Sequence, residues 1–322
     1  MMCTKPLPTR PPLAAHLRPD FLIFDIDGVL VDATQSYPGA IAEAVARYRQ
    51  LANLPGDPDV PVTAEQTAWF KQAGGFNDEW VLTYTAALWS TWRAFDPAAP
   101  TLQEYVEQIG QAGGGVFAAE DLIRRQASPV AKDAIKQRCT RELLTRLGKE
   151  CYGGDEACAT LFGFNPQFRT GPGWQRVERG LLEPSRLQPW QGRLGIYTGR
   201  NRPETDWALA RHGFAERFLP HFRMTASDHL VKPDPDGLGR ILTRVKWQHV
   251  WYIGDTVDDC RTVLAFRRQC PSTKTVTFVG VLDGAMGPAA AVYFTRCGAD
   301  YTVRTAAEVL DALPAPGRSA RR

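Results

Sequence analysis

The chain has 322 residues, 44% of them hydrophobic and 23% charged, which is ordinary for a globular protein of one or two domains. Its net charge of +3 depends on six basic residues in two segments, 1–19 and 314–322, which leave 32 of the 38 basic residues against 35 acidic ones. This balance excludes a nucleic-acid-binding surface on the folded body. We predict that both basic segments are disordered tails.

Cysteine content and hydropathy limit the cellular compartment. The seven cysteines include no CxxC pair, so we expect free thiols in a reducing environment rather than disulfides or a zinc site. The Pro-rich start has no apolar leader region, and no run is apolar enough to span a bilayer. We therefore expect a cytoplasmic protein with no membrane partner.

The first predicted element is a short buried strand, the apolar run Phe21–Phe24. Asp25 and Asp27 follow it directly, and Gly28 then permits a sharp turn. Two carboxylates at the end of a buried strand are costly unless something binds them, and a divalent cation shared with a phosphate would do so. Taken alone, the stretch fits an acidic turn equally well.

A long helical region follows the first strand, with apolar residues at helical spacing. Glycine and proline pairs mark several of its breaks. We predict helices from Ser36 to before Pro55, from Thr63 through Phe70, from a cap at Asn77 or Asp78 to Phe95, and over 101–111, 117–127 and 129–149, with 163–184 as loop.

The pattern changes after Pro189, where short apolar strands alternate with helices. Strands are predicted at Leu194–Tyr197, Phe222–Thr225, Val250–Ile253, Val276–Val281 and near Tyr301, with helices at 203–212, 235–245 and 257–267. Such alternation predicts an α/β fold, a doubly wound parallel sheet with helices on both faces. The first strand joins this sheet, so the core comprises 20–33 and 185–313, and 34–184 is an inserted all-helical domain.

Polar residues of related chemistry follow four segments of this core. They are Asp25 and Asp27, Thr198-Gly199-Arg200, Lys232, and Gly254-Asp255 with Asp258 and Asp259. In open parallel sheets, ligands bind at the carboxyl ends of the strands. We therefore expect these four clusters, far apart in sequence, to meet in one crevice.

The four clusters resemble the motifs of the haloacid dehalogenase superfamily, in its order: Asp25-x-Asp27, Thr198, Lys232 and Gly254-Asp255-x-x-x-Asp259. The resemblance covers about 20–33 and 185–312, and the insert resembles the helical cap of subfamily IA, the phosphoglycolate-phosphatase-like group. It implies an α/β core with an all-helical cap and Mg²⁺-dependent hydrolysis of a small phosphate monoester. The implied partner is a small phosphorylated metabolite, and the oligomeric state stays open.

The resemblance also implies a role for each matched residue. Asp25 would be the nucleophile that forms an aspartyl-phosphate, and Asp27 would protonate the leaving oxygen and then activate water. Lys232 would neutralise the phosphate and keep Asp25 ionised. The implied phosphate ligands are Thr198 and the Gly199 amide, with Arg200 either a substrate contact or a surface residue. The implied metal ligands are Asp25, the Asp27 carbonyl, Asp255 and Asp259, with Asp258 as the competitor of Asp259.

Alternatives to a phosphatase differ in how far the residues argue against them. The superfamily's dehalogenases lack an acid two residues after the nucleophile, so Asp27 argues against that chemistry. A phosphonatase would need a cap lysine that forms a Schiff base, for which Lys71 is a candidate. A phosphomutase shares all four motifs, and a silent phospholigand-binding domain is opposed only by the intact acidic set. Phosphoglycolate, histidinol phosphate and a sugar phosphate all stay open as substrates.

The insert contains a distinctive stretch from Lys71 to Tyr84. Together with Ser36-Tyr37, it resembles a pattern of a poorly characterised branch of subfamily I. As a structural segment, Gly74-Gly75 would end one helix, Asn77 would cap the next and Trp80 would pack in the core. As a functional segment, Lys71, Asn77 and Trp80 would contact the substrate. We state the substrate contact as the hypothesis.

Overall fold

A computed structural model describes residues 18–56, 62–76, 78–284 and 290–313. Most of the first predicted tail, all of the second and Asn77 lie outside these ranges. The chain divides into two compact units, a core unit up to Asp32 and from Arg179 onward, and a helical unit over Ala33–Glu178. Residues 179–184, predicted within the insert, therefore lie in the core unit.

The core unit is built on a parallel sheet. In chain order the described strands are β1 (Phe21–Phe24), β2 (Val31–Asp32), β3 (Arg179–Gly180), β4 (Leu194–Tyr197), β5 (Arg223–Met224), β6 (His249–Gly254), β7 (Thr275–Val281) and β8 (Tyr301–Val303). Six of them form one sheet in the order β5-β4-β1-β6-β7-β8, and every neighbouring pair is parallel. The predicted α/β fold class with a doubly wound parallel sheet is confirmed.

Strand β1 is apolar throughout because both faces of the sheet are covered. Leu22 and Phe24 belong to one buried apolar cluster, and Phe21 and Ile23 belong to another. Successive side chains of a strand point to opposite faces, so each face takes every second residue. The continuous apolar run is therefore what a central parallel strand requires.

The helical unit contains seven α-helices among its described residues, and no strand of the six-stranded sheet. They are α1 (Ser36–Leu51), α2 (Thr67–Ala73), α3 (Glu79–Phe95), α4 (Leu102–Gln111), α5 (Gly115–Gln126), α6 (Pro129–Arg138) and α7 (Arg141–Phe162). The start of α3 is capped by Asp78, whose carboxylate accepts hydrogen bonds from the Trp80 and Val81 amides. Of the two predicted caps, the described one is thus Asp78.

Two sequence-based boundaries in this region were wrong. The predicted helix 129–149 is two helices, because Thr140 adopts an extended conformation and its hydroxyl caps α7 by accepting from the Leu143 amide. The predicted loop 163–184 contains a 3-10 helix at Trp174–Val177 and strand β3, which pairs antiparallel with β2. A two-residue strand is too short to show a period of two, so the sequence carries no signal for it.

The remaining helices belong to the core unit. They are α8 (Arg202–Arg211), α9 (Asp236–Leu242), α10 (Val257–Arg267), α11 (Ala290–Cys297) and α12 (Ala306–Ala312), with 3-10 helices at Pro184–Trp190, Pro220–Phe222 and Ala226–Asp228. Helices α8, α9 and α10 match the predicted ones to within a few residues. In the part of the chain that the structure describes, no helix combines the length and the apolar character that crossing a membrane requires.

Helix α7 contains a kink at Gly154 that generates the first prediction. Gly154 has φ +59, and a Cβ there would overlap the Gly173 amide nitrogen. We expect Gly154→Ala to lower the free energy of unfolding by about 3 kcal/mol or more, because a strained conformation and a backbone clash add together. Chemical denaturation followed by circular dichroism measures this loss.

The matched control for this prediction is Gly163→Ala. Gly163 ends α7 with φ +77, but no atom lies within 4 Å of a Cβ placed there. The expected loss is only about 1 kcal/mol, from the left-handed conformation alone. Equal losses in the two variants would contradict the steric argument.

Candidate active site

The candidate site lies at the carboxyl ends of β1, β4 and β6, where the strand order reverses. Strand β1 has β4 on one side and β6 on the other, and the chain leaves these strands toward opposite ends of the sheet. Such a reversal opens a crevice above the strand ends. Asp25 still takes part in the sheet, since its amide donates to the Ile253 carbonyl at 2.9 Å. The backbone of the residue that carries the first predicted carboxylate is thus fixed by the sheet.

Lys232 joins the first and the last predicted motifs. Its ammonium nitrogen lies 2.7 Å from Asp25 Oδ2 and 2.7 Å from Asp259 Oδ1. The loop that carries Lys232 is held by Tyr197, whose hydroxyl donates to the Asp234 carbonyl at 2.9 Å. Asp25 and Asp259, which are far apart in the chain, therefore meet at the buried ammonium group of Lys232.

Asp259 is held by hydrogen bonds to both carboxylate oxygens. Oδ1 accepts from Lys232 and from the Tyr252 hydroxyl at 2.8 Å. Oδ2 accepts from the Thr256 amide at 3.0 Å and the Thr256 hydroxyl at 2.7 Å, which completes a capping box at the start of α10. Gly254 makes room for this arrangement, because a Cβ there would come within 2.6 Å of the Asp259 carboxyl carbon.

Asp255 lies between two glycines. A Cβ at Gly28 would overlap its carboxylate, and so would a Cβ at Gly284. Gly28 has φ +69, a conformation that favours glycine for a second reason. The loops after β1 and β7 therefore approach the Asp255 carboxylate closely, and only residues without a Cβ allow this approach.

The acidic residues form a group that can hold a divalent cation. One carboxylate oxygen from each of Asp25, Asp255 and Asp259 lies within 4.8 Å of the other two, and all three residues are buried. Lys232 supplies one positive charge against these three carboxylates. Buried carboxylates require compensating charge, and oxygen ligands at this spacing suit a hard divalent ion. The residues thus fit the metal that the resemblance implies.

Burial dominates the electrostatics of Asp25. It raises the pKa of the Asp25 carboxyl to about 7; Lys232 opposes this rise, while Asp259 and Asp27 add to it. Burial lowers the pKa of Lys232, but Asp25 and Asp259 together hold it above its ordinary value. The Lys232 ammonium therefore stays charged. A cation added beside Asp25 would favour the ionised form of the Asp25 carboxyl group.

Asp27 pairs with Arg200 rather than joining the acidic group. Arg200 Nε lies 3.1 and 3.0 Å from the two Asp27 carboxylate oxygens, and Nη2 lies 2.6 Å from Oδ1. The Arg200 side chain is 1% exposed, and that of Asp27 is 28% exposed. Sequence reasoning left Arg200 open between a surface and a substrate role, whereas the structure buries it against Asp27.

The predicted phosphate ligands follow strand β4. Thr198 is buried, and its amide donates to the Met224 carbonyl at 3.0 Å, which continues the β4–β5 pairing. Gly199 is exposed. Helix α8 begins shortly afterwards, capped by Asn201 and Glu204 in a capping box. The segment thus places the Thr198 hydroxyl and the Gly199 amide near a helix N-terminus, where anions bind favourably.

Three predicted residues lie outside this group of contacts. Asp258, the competitor of Asp259, stands in the first turn of α10 with Arg261 Nη1 at 3.3 Å from its Oδ1. In the helical unit, Lys71 forms an ion pair with Glu79 at 2.7 Å. The ring of Trp80 meets those of Tyr37, Tyr152 and Phe162, with centroids 5.7–5.9 Å apart. Substrate contact by Lys71, Asn77 and Trp80 therefore stays a prediction.

Sequence reasoning missed three residues of the site: Tyr252, Thr256 and Gly284. Gly284 follows β7, and the rule that strand ends carry the site could have found it. Thr256 three residues before Asp259 is a capping-box spacing that was equally readable. Tyr252 lies inside a strand, and no local signal distinguishes its hydroxyl from that of any other core tyrosine.

Comparisons with known proteins agree with this geometry. The family model of haloacid dehalogenase-like hydrolases matches residues 19–266, which include all four motifs. No curated protein matches the chain. Two solved structures share the fold at low identity. A phosphatase, Tt82 of Thermococcus thioreducens, is 21% identical with a TM-score of 0.55, covering 81% of this chain and 92% of its own.

The second structure is an X-ray structure of a Northeast Structural Genomics Consortium target. It is 17% identical with a TM-score of 0.57, and the match covers 90% of this chain and 97% of that one. At these identities the likeness shows the fold, whereas the family model spans more than half of the chain. Together with the meeting of its motifs at one buried site, this match shows that the chain belongs to the haloacid dehalogenase-like hydrolases.

Proposed function

We propose that the protein is a Mg²⁺-dependent phosphatase that hydrolyses a small phosphate monoester through an aspartyl-phosphate on Asp25. The observation that carries the proposal is the contact of Asp25 with Lys232 at 2.7 Å, inside a buried acidic group that fits a divalent cation. Asp27, two residues on, supplies the acid that phosphoryl transfer requires and dehalogenation does not. The name of the Thermococcus thioreducens structure, a phosphatase, agrees with this choice.

The proposed reaction has two steps, both carried by the two carboxylates of the first motif. In the first step, an Asp25 oxygen attacks phosphorus, the bond to the leaving oxygen breaks, and Asp27 gives that oxygen its proton. In the second, Asp27 takes a proton from water, whose oxygen attacks the aspartyl-phosphate. Inorganic phosphate leaves, and Asp25 is regenerated as a carboxylate.

The other core residues bind and orient the phosphate in this proposal. The Thr198 hydroxyl and the Gly199 amide donate to phosphate oxygens, and the Lys232 ammonium offsets their charge. Mg²⁺ held by Asp25, the Asp27 carbonyl and Asp255 would supply further positive charge at the phosphate when bound. Asp259 would be a further ligand of that ion, and its hydrogen bonds also anchor Lys232 and the start of α10.

The core residues recognise only a phosphate, so we assign substrate selectivity to the helical unit. Lys71, Asn77 and Trp80 are the proposed contacts there. Phosphoglycolate, histidinol phosphate and sugar phosphates are the candidate substrate classes. A screen of phosphorylated metabolites for phosphate release identifies the substrate, and transfer of phosphate to a second hydroxyl in place of its release would indicate a mutase.

The first test of the proposed function is metal dependence. We expect release of phosphate from p-nitrophenyl phosphate with Mg²⁺ and none in EDTA. Ca²⁺ should inhibit, because it takes more ligands at longer distances and draws Asp25 into bidentate contact. Full turnover by protein freed of metal would refute the proposal.

The second test is Asp25→Asn. The amide is nearly isosteric with the carboxylate and can still accept a hydrogen bond from Lys232, but it is a poor nucleophile. We expect activity to fall by at least a thousandfold, in line with the loss of a catalytic nucleophile. The melting temperature in EDTA should stay equal or rise, because a buried charge is removed. Substantial residual turnover would rule out an aspartyl-phosphate on this residue.

The third test of the proposed function concerns the glycine that faces Asp255 from the β7 loop. Gly284→Ala adds a Cβ that overlaps the Asp255 carboxylate, so the carboxylate must move. We expect the Mg²⁺ concentration for half-maximal activity to rise about tenfold or more, since one misplaced ligand costs at least about 1.4 kcal/mol of binding. The increase in melting temperature on adding Mg²⁺ should shrink in parallel.

Gly239→Ala is the control for this variant. Gly239 lies in α9, and a Cβ there meets only an ordinary contact of 3.7 Å with Phe266. Its Mg²⁺ dependence should match that of the unmodified protein. If Gly284→Ala also matched it, Asp255 would not be a metal ligand held by this loop.

A further inference from the structure

The contact between Arg200 and Asp27 carries an inference that rests on the proposed function. Both atoms that line one edge of the guanidinium, Nε and Nη2, donate to the Asp27 carboxylate, over 2.6–3.1 Å. A planar fork that meets a carboxylate through two nitrogens fixes both the distance and the rotation of that carboxylate. The side chain of Asp27 is therefore oriented by a group from the segment that follows strand β4.

Arg200 is itself held firmly at the carboxyl end of β4. Its amide donates to the Thr198 hydroxyl at 3.3 Å, and its carbonyl accepts from the Ala226 amide at 2.9 Å. The side chain is 1% exposed, so the surrounding protein restricts its rotamers. Asp27 is more exposed, at 28%, as a group that must reach a substrate requires.

The same geometry argues against the phosphate-binding role that the sequence suggested for Arg200. A guanidinium binds a phosphate oxygen pair through two donors along one edge, and the Nε–Nη2 edge of Arg200 is engaged by Asp27. To bind phosphate through that edge, Arg200 would have to release the half-buried Asp27 carboxylate, which would then lose its ion-pair partner. Lys232, Thr198 and the Gly199 amide already supply phosphate donors in the proposed reaction.

We propose that Arg200 is a positioning residue: it holds the Asp27 carboxyl group in the orientation from which it gives a proton to the leaving oxygen and takes one from water. Arg200 itself touches neither the phosphate nor the leaving group. The proposal deepens the phosphatase function above, because it states how the acid of that reaction is aimed.

The effect of losing Arg200 should depend on the basicity of the leaving group. A phenolate ion is more basic than p-nitrophenolate, so its departure depends more strongly on a well-placed proton donor. Losing the orientation of Asp27 should therefore slow phenyl phosphate hydrolysis more than p-nitrophenyl phosphate hydrolysis. A lost phosphate ligand would instead slow both esters equally and weaken the binding of inorganic phosphate.

The experiment measures kcat/KM for both esters, and the inhibition constant of inorganic phosphate, in Arg200→Met and Arg200→Lys. We expect Arg200→Met to lower kcat/KM for phenyl phosphate at least tenfold more than for p-nitrophenyl phosphate, with the phosphate inhibition constant changed less than twofold. Arg200→Lys keeps the charge but loses the fork, so it should show the same selective loss. It also remains informative if burial prevents Arg200→Met from folding.

Two further variants complete the design. Arg202→Gln is the matched control, because Arg202 pairs with Asp228 at 3.0 Å and has no place in the proposed reaction. It should retain the kinetics of the unmodified protein with both esters. Adding Arg200→Lys to Asp27→Asn should cause little further loss, since a residue that acts only through Asp27 has nothing left to position.

The outcomes separate this proposal from the function on which it rests. Equal losses with both esters, together with weaker phosphate inhibition, would overturn the positioning role and make Arg200 a phosphate ligand. A full additional loss in the Asp27→Asn background would overturn it as well. An unmodified protein that releases phosphate from neither ester in Mg²⁺ would instead remove the proposed phosphatase function, and the role of Arg200 with it.

Discussion

A single buried ammonium group, that of Lys232, is the contact on which the site depends. It lies 2.7 Å from carboxylate oxygens of both Asp25 and Asp259, and its side chain is almost fully buried. Burial of either carboxylate without a partner would cost a large desolvation free energy. The Lys232 ammonium compensates for the charge of both. The carboxyl end of β1, the first turn of α10 and the loop before α9 therefore meet at the Lys232 ammonium group. The folding of three separate segments and the charge of the candidate nucleophile thus share one interaction.

The four carboxylates of the site differ in the groups that surround them. Asp25 and Asp259 share Lys232, while Asp27 meets the guanidinium of Arg200. Asp255 lies in the space that Gly28 and Gly284 leave open. The proposed reaction gives these carboxylates different roles, because chemically identical side chains acquire different tasks through their surroundings. Position two residues after the proposed nucleophile would not by itself give Asp27 its proposed role as proton donor.

The fold and the convergence of the motifs were predictable because each depends on a repeated local signal. Apolar runs alternating with helical periods predict a parallel sheet, and the strand-end rule then brings Asp25, Lys232 and Asp259 together. The partner of Arg200 was not predictable, since an arginine side chain has many rotamers and Asp27 is 173 residues away in sequence. The same holds for Tyr252, whose hydroxyl finds Asp259 only once the strand and α10 are packed. Short-range sequence patterns predict the secondary structure and its assembly into a parallel sheet. Contacts between side chains of distant segments depend instead on how the core packs.

The two-residue strands β2 and β3 have a consequence for how such a chain could arise. They pair as Val31 with Gly180 and Asp32 with Arg179. The segment in which the chain leaves the core unit thus pairs antiparallel with the segment in which it returns. Within the helical unit, the Ser36 hydroxyl donates to Glu178 at 2.9 Å, so its first and last segments also meet. A hairpin turn could join the two core strands directly, because antiparallel neighbours need only two connecting residues. Modules with adjacent ends can be exchanged, enlarged or lost without disturbing the strand order, and substrate range can then evolve separately from the reaction itself.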